Sequence, residues 1–142
     1  MGALSTVLII QPDLGLSGAW FQALARGGHD VIAVRAVGDA VARVREGGIE
    51  AIVFDAPGDD ADGAAVRELV GELDRLPDAP PLVLVSDSPR APELSARVGA
   101  AAFLPKPCGP DDLVELVARV SSANVRGHRF DDETTAPRLK DF

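Results

Sequence analysis

The sequence predicts a single (βα)5 domain, a parallel sheet with helices on both faces, from three observations. Five short apolar runs recur along the chain, β-branched in the first four. Between them, apolar residues return at helical spacing. Glycine, proline and aspartate punctuate the changes of period. Strands apolar on both faces, each followed by a helical crossover, imply a parallel sheet between two helical layers.

The first run, Val7-Leu8-Ile9-Ile10, has no polar face and predicts a strand buried on both sides. Gln11-Pro12-Asp13-Leu14-Gly15-Leu16-Ser17-Gly18 follows it and carries glycines, but neither GxGxxG nor GxxxxGK[ST]. It reads as a turn leading into a helix marked by Leu16, Trp20 and Leu24 and stopped by Gly27-Gly28. Val31-Ile32-Ala33-Val34 predicts the second strand. Ala40, Val41 and Val44 mark the second helix, which Gly47-Gly48 stops.

The third run, Ala51-Ile52-Val53-Phe54, ends on Asp55 just before a turn, Ala56-Pro57-Gly58-Asp59-Asp60. Val66, Leu69, Val70 and Leu73 predict the third helix. Leu82-Val83-Leu84-Val85, ending at Ser86, predicts the fourth strand, and Leu94 with Val98 a shorter fourth helix. Ala101-Ala102-Phe103-Leu104 predicts the last strand, followed by Lys106. Gly109-Pro110-Asp111-Asp112 starts a final helix, with proline in the first turn and acids at the positive end of its dipole. Leu113, Leu116, Val117 and Val120 give that helix its apolar face. The folded domain is expected over residues 6–120, and a polar, mixed-charge tail over 121–142, too short for an output domain of its own.

Composition narrows the function. The chain of 142 residues has a formal net charge of -8, from Lys+Arg 14 and Asp+Glu 22. That balance argues against a nucleic-acid partner, which requires a basic face. The apolar runs are strand-length, and the start Met1-Gly2-Ala3-Leu4-Ser5 lacks the features of a signal peptide, so no membrane association and a cytoplasmic location are expected. Cys108 is the only cysteine, which excludes an intramolecular disulfide and a cysteine metal cluster; it reads as a small apolar side chain. Only His29 and His128 are available, one after a Gly-Gly turn and the other in the tail, so a His-based metal site or triad would need a long-range coincidence, and both read as surface residues.

In an open parallel sheet the functional crevice lies outside the carboxyl ends of the strands. Asp55, Ser86 and Lys106 stand there after the third, fourth and fifth strands, so a carboxylate, a hydroxyl and an ammonium can converge. For Asp55 alone, capping the turn that follows is an equally good reading.

In this order and spacing, Val7 to Ile10, Phe54-Asp55, Asp62-Gly63, Val85-Ser86, Val98-Gly99-Ala100, Phe103 and Leu104-Pro105-Lys106-Pro107 resemble the receiver domain of bacterial response regulators. The resemblance covers about Thr6 to Val120. It implies a flavodoxin-like fold and, with the right-handed crossover rule, the strand order 2-1-3-4-5, the first and fifth helices on one face and the other three opposite. It also implies that Asp55 accepts a phosphoryl group from a sensor histidine kinase or phosphotransfer protein. Ser86 and Lys106 would contact the phosphoryl oxygens, and Mg²⁺ would spread the charge. Ser86 and Phe103 would be the switch pair, altering a target-binding face made by the fourth helix, fifth strand and fifth helix. The resemblance further suggests a cis Lys106-Pro107 bond.

Three departures bear on that chemistry. Where receivers place two adjacent metal-binding acids after the first strand, this chain has Gln11-Pro12. Of the metal ligands, Asp55 stays, and Asp13 reaches only through a different turn; otherwise it is a turn or cap acid of the first helix. Asp87 follows Ser86 and adds negative charge where a phosphoryl group would arrive. The usual proline four residues after Asp55 is absent, leaving Asp59 and Asp60 as loop acids or unorthodox ligands. Two functional readings result: a stand-alone response regulator phosphorylated at Asp55, which retention of Asp55, Ser86 and Lys106 favours, and a phosphorylation-independent pseudo-receiver that acts by protein-protein interaction, which loss of the acid pair favours. An enzyme of flavodoxin or hydrolase type has no cofactor loop or DxD motif to rest on.

Overall fold

The computed structural model describes residues 5–11, 18–56, 63–106 and 108–130, with the backbone alone at residue 5 and over 122–130. Its elements are β1 (Ser5–Ile10), α1 (Gly18–Arg26), β2 (His29–Val34), α2 (Val37–Glu46), β3 (Ile49–Asp55), α3 (Ala64–Leu73), β4 (Leu82–Ser86), α4 (Ala91–Val98), β5 (Ala102–Pro105) and α5 (Pro110–Phe130). The sheet has five strands in the order β2-β1-β3-β4-β5, and every pair is parallel. This is the predicted topology.

Period-two alternation assigns each strand residue to one helical layer. Leu8, Ile10, Ile52, Phe54, Leu82 and Leu84 pack with Ala40, Val41 and Val44 of α2 and Val66, Leu69 and Leu73 of α3, with Leu94 of α4 against them. Their neighbours Val7, Ile9, Ala51, Val53, Val83 and Val85 pack on the other face with Leu24 of α1 and Leu113, Val117 and Val120 of α5. The central strands are wholly enclosed: Val7 to Ile10 and Ala51 to Phe54 are all 0% exposed. Each such Val, Leu, Ile or Phe contributes about 1.5–3 kcal/mol of burial. β2 lies at the sheet edge, and its apolar residues Val31 to Val34 are only half-buried.

Gly47 stops α2 as expected, with φ 88, and Gly99 caps α4 in the left-handed region with φ 77. The far end of α5 differs. A tail was expected from residue 121, whereas the helix runs on to Phe130. Ser121-Ser122-Ala123-Asn124 lowers helix propensity but holds no proline to end the helix. Among the described residues, no helix is long and apolar enough to cross a membrane.

Candidate functional site

The site is assembled by strand register. Ile10 of β1 pairs with Phe54 of β3, so one step further along the ladder sets Gln11 beside Asp55. Gln11 is held by its own backbone N–H, which donates to Val34 O of β2 at 2.8 Å. Alternation sends the side chains of Gln11 and Asp55 to the same face, that of Val7, Ile9, Ala51 and Val53. Both end up buried, Gln11 at 0% and Asp55 at 6% exposure.

On the other side of Asp55, β4 pairs with β5 up to Ser86 and Pro105, and Lys106 N–H donates to Ser86 O at 2.9 Å. Lys106 continues the alternation of Ala102 and Leu104, so its side chain rises on the same face as Asp55. It stands roughly two strand spacings of about 4.8 Å away, a gap that a long side chain can span. Its Nζ forms an ion pair with Asp55 Oδ1 and donates to Ala56 O at 3.3 Å.

The second carboxylate oxygen, Asp55 Oδ2, accepts from Gln11 Nε2 at 3.0 Å. An ionised carboxylate only accepts hydrogen bonds, so the NH₂ group of the amide, and not its oxygen, has to face it. The amide oxygen Oε1 is then buried and meets no donor among the described residues. Sequence reasoning gave Gln11 only as a neutral replacement for a metal-binding acid, and its role as donor to Asp55 was missed. The available signal was a polar residue at the carboxyl end of a wholly apolar strand next to the Asp55 strand.

Ser86 is buried at the end of β4, but it follows the alternation of Leu82 and Leu84, the residues of the α2–α3–α4 face. Its Oγ accepts from the Ser88 backbone N–H at 3.0 Å, and Ser88 Oγ accepts from Arg90 N–H at 3.2 Å. Among the described residues no hydrogen bond joins Ser86 to Asp55. Phe103, paired in register with Leu84, is half-buried against that same face, so Ser86 and Phe103 share one side of the sheet while Asp55, Lys106 and Gln11 share the other. Asp87 is exposed. Asp13, Asp59, Asp60, Asp62 and Pro107, and with Pro107 the expected cis bond, lie outside the described residues.

Cys108 is half-buried against Val7, Ile9, Leu113 and their neighbours, close to the reading of a small packed side chain. Burial pushes its thiol above the ordinary range; the negative charges of Asp112 and Asp55 push it further, and the Lys106 ammonium partly offsets them. His29 opens β2 and is half-buried.

The Mg²⁺ that the fold implies does not fit the described donor set. Hard divalent ions take several oxygen ligands, typically carboxylates. Here Asp55 has one oxygen on an ammonium and the other on an amide N–H, and no group of three His, Cys, Asp or Glu side chains among the described residues could hold a metal.

No protein-family model and no curated protein matches the chain. Solved structures do match it. A response-regulator receiver domain from Methanospirillum hungatei superposes with a TM-score of 0.74 at 22% identity, covering 87% of this chain and 98% of its own. The signal receiver domain of a signal-transduction histidine kinase from Syntrophus aciditrophicus gives 0.69 at 26% identity, covering 84% and 91%. A chemotaxis response regulator of Vibrio cholerae gives 0.69 at 20% identity, covering 83% and 99%. The chain has the receiver-domain fold.

Proposed function

We propose that this chain is a receiver-type signalling module of the two-component kind that works through protein-protein contacts, in a form that no longer runs metal-dependent phosphoryl transfer. The observation that carries this reading is Gln11 at Asp55: its Nε2 donates to Oδ2, which sets an N–H where a metal-binding carboxylate would have to stand. A phosphoryl group arriving there would meet one positive charge, Lys106, with Asp87 exposed nearby in sequence. Without a divalent ion to spread the charge, that balance opposes transfer.

The second reading, phosphorylation at Asp55 by a histidine kinase or phosphotransfer protein, is favoured by the Lys106–Asp55 ion pair, which receiver chemistry also uses. Incubation with acetyl phosphate and Mg²⁺, read by intact mass, separates the two. The pseudo-receiver reading expects an unmodified chain. A mass gain of one phosphoryl group, lost in Asp55→Asn, would establish the second reading instead. In either case the output is expected at a partner protein docked on α4, β5 and α5, with Phe103 on the route from the strand ends to that face.

A further inference from the structure

The Gln11 amide is held in place from two directions. Its backbone is tied to β2 through Val34 O, and its side chain is fully enclosed, so few conformations are open to it. Inside that enclosure Nε2 donates to Asp55 while Oε1 stays buried without a donor among the described residues. A buried carbonyl left unpaired is unfavourable. Among the described residues, what holds this arrangement is the hydrogen bond to the carboxylate, charge-assisted and stronger than a neutral one.

We propose that the Gln11 amide is an internal substitute for a cation at Asp55, a cap that has to open before the carboxylate takes any other partner. It deepens the reading of the site given above and rests on it. The cap excludes a divalent ion for a definite reason. An ion at Oδ2 would face the positive end of the amide dipole, and Gln11 could ligate it only by turning its oxygen inward, which breaks the bond to Asp55. The ion would also compete with Lys106 for the same carboxylate. Ion binding and the Nε2–Oδ2 contact are therefore mutually exclusive, and the residue at position 11 sets whether the site responds to divalent ions.

The test uses the full chain and three forms of residue 11. Gln11→Glu keeps the size of the side chain and puts a second carboxylate beside Asp55; Gln11→Met keeps the volume and removes the donor. Thermal unfolding in EDTA and in millimolar Mg²⁺ should show a wild-type midpoint that does not move. Gln11→Glu should unfold lower in EDTA and recover by several degrees with Mg²⁺. Gln11→Met should unfold lower than wild type and ignore Mg²⁺. Should Gln11→Glu fail to fold, the wild type decides: the side-chain amide protons of Gln11 should exchange slowly with water and shift in Asp55→Asn but not in Ser86→Ala. Free exchange of those protons, wild-type stability in Gln11→Met, or a Mg²⁺ response in the wild type would each overturn the cap. A chain phosphorylated at Asp55 with Mg²⁺-insensitive unfolding would refute the pseudo-receiver reading while still supporting the cap.

Discussion

Lys106, just past β5, reaches across β4 to pair with Asp55 at the end of β3, with side chains 23% and 7% exposed. Removing one member of a buried pair leaves an uncompensated charge, which costs about 3–5 kcal/mol, and the solvent contact of Lys106 places this pair at the lower end of that range. Lys106→Met is thus expected to destabilise by about 3 kcal/mol. Asp55→Asn should cost less, since a neutral amide oxygen still accepts from Gln11. Urea unfolding of both variants and of the double variant checks this. The coupling fails as described if the double variant is as unstable as the two single losses added together.

Gly63 precedes α3 in the left-handed region, with φ 70, and Leu94 of α4 lies directly over it. A Cβ on Gly63 would stand 2.9 Å from Leu94 Cδ1 and closer still to Cδ2. Gly63→Ala is expected to lose about 2 kcal/mol or more, from the left-handed backbone and the overlap together. In Gly63→Ala/Leu94→Ala the overlap disappears and the backbone strain stays, so the pair should be less destabilised than the sum of the single variants. Additive losses in thermal or urea unfolding would show that Leu94 yields freely.

The layers of this fold were legible because strands apolar on both faces and helices with one apolar face leave few ways to pack. Edges were less legible. His29 and Asp30 join β2 through parallel pairing with Ser5 and Thr6, and Ile49 joins β3 through pairing with Thr6, with Glu50 at the register shift that follows, which no local apolar pattern signals. The end of α5 was placed too early because Ser and Asn weaken a helix without stopping it. Within the site, Asp55 and Lys106 showed themselves as charges at strand ends. The role of Gln11 did not, because it depends on a register that sets residues 11 and 55 side by side, and an amide gives no sign in sequence of which end it will present.

Cys108 reports on the same end of the sheet. Its thiol is raised by burial first and by Asp112 and Asp55 next, so the reactive thiolate forms at higher pH than in an unfolded chain. Alkylation should therefore be slower in the native protein at mildly alkaline pH and should accelerate in urea. The sign for stability follows: a pKa raised by folding favours the folded state below the unfolded pKa, and that contribution is lost as pH rises through the folded one. Asp112→Asn removes one of the opposing charges and should speed native alkylation. An unchanged rate would mean that Asp112 does not act on the thiol.

Phe103 carries the last prediction. It pairs with Leu84, packs half-buried on the α2–α3–α4 side, and lies in β5 between the two helices of the expected partner face. The two helices carry exposed charges of both signs: Glu93 and Arg97 pair along α4, and Glu115 and Arg119 pair along α5. Such i,i+4 pairs contribute only about 0.3–0.5 kcal/mol each to stability. If the module binds constitutively, Phe103→Ala should weaken partner binding while Asp55→Asn, which removes no side chain of that face, should not. Pull-downs from the native cell with wild type and both variants compare these directly, with circular dichroism confirming that each remains folded. Loss with Asp55→Asn alone would indicate a phosphorylation switch. An unchanged partner set for both would place the binding surface elsewhere on the molecule.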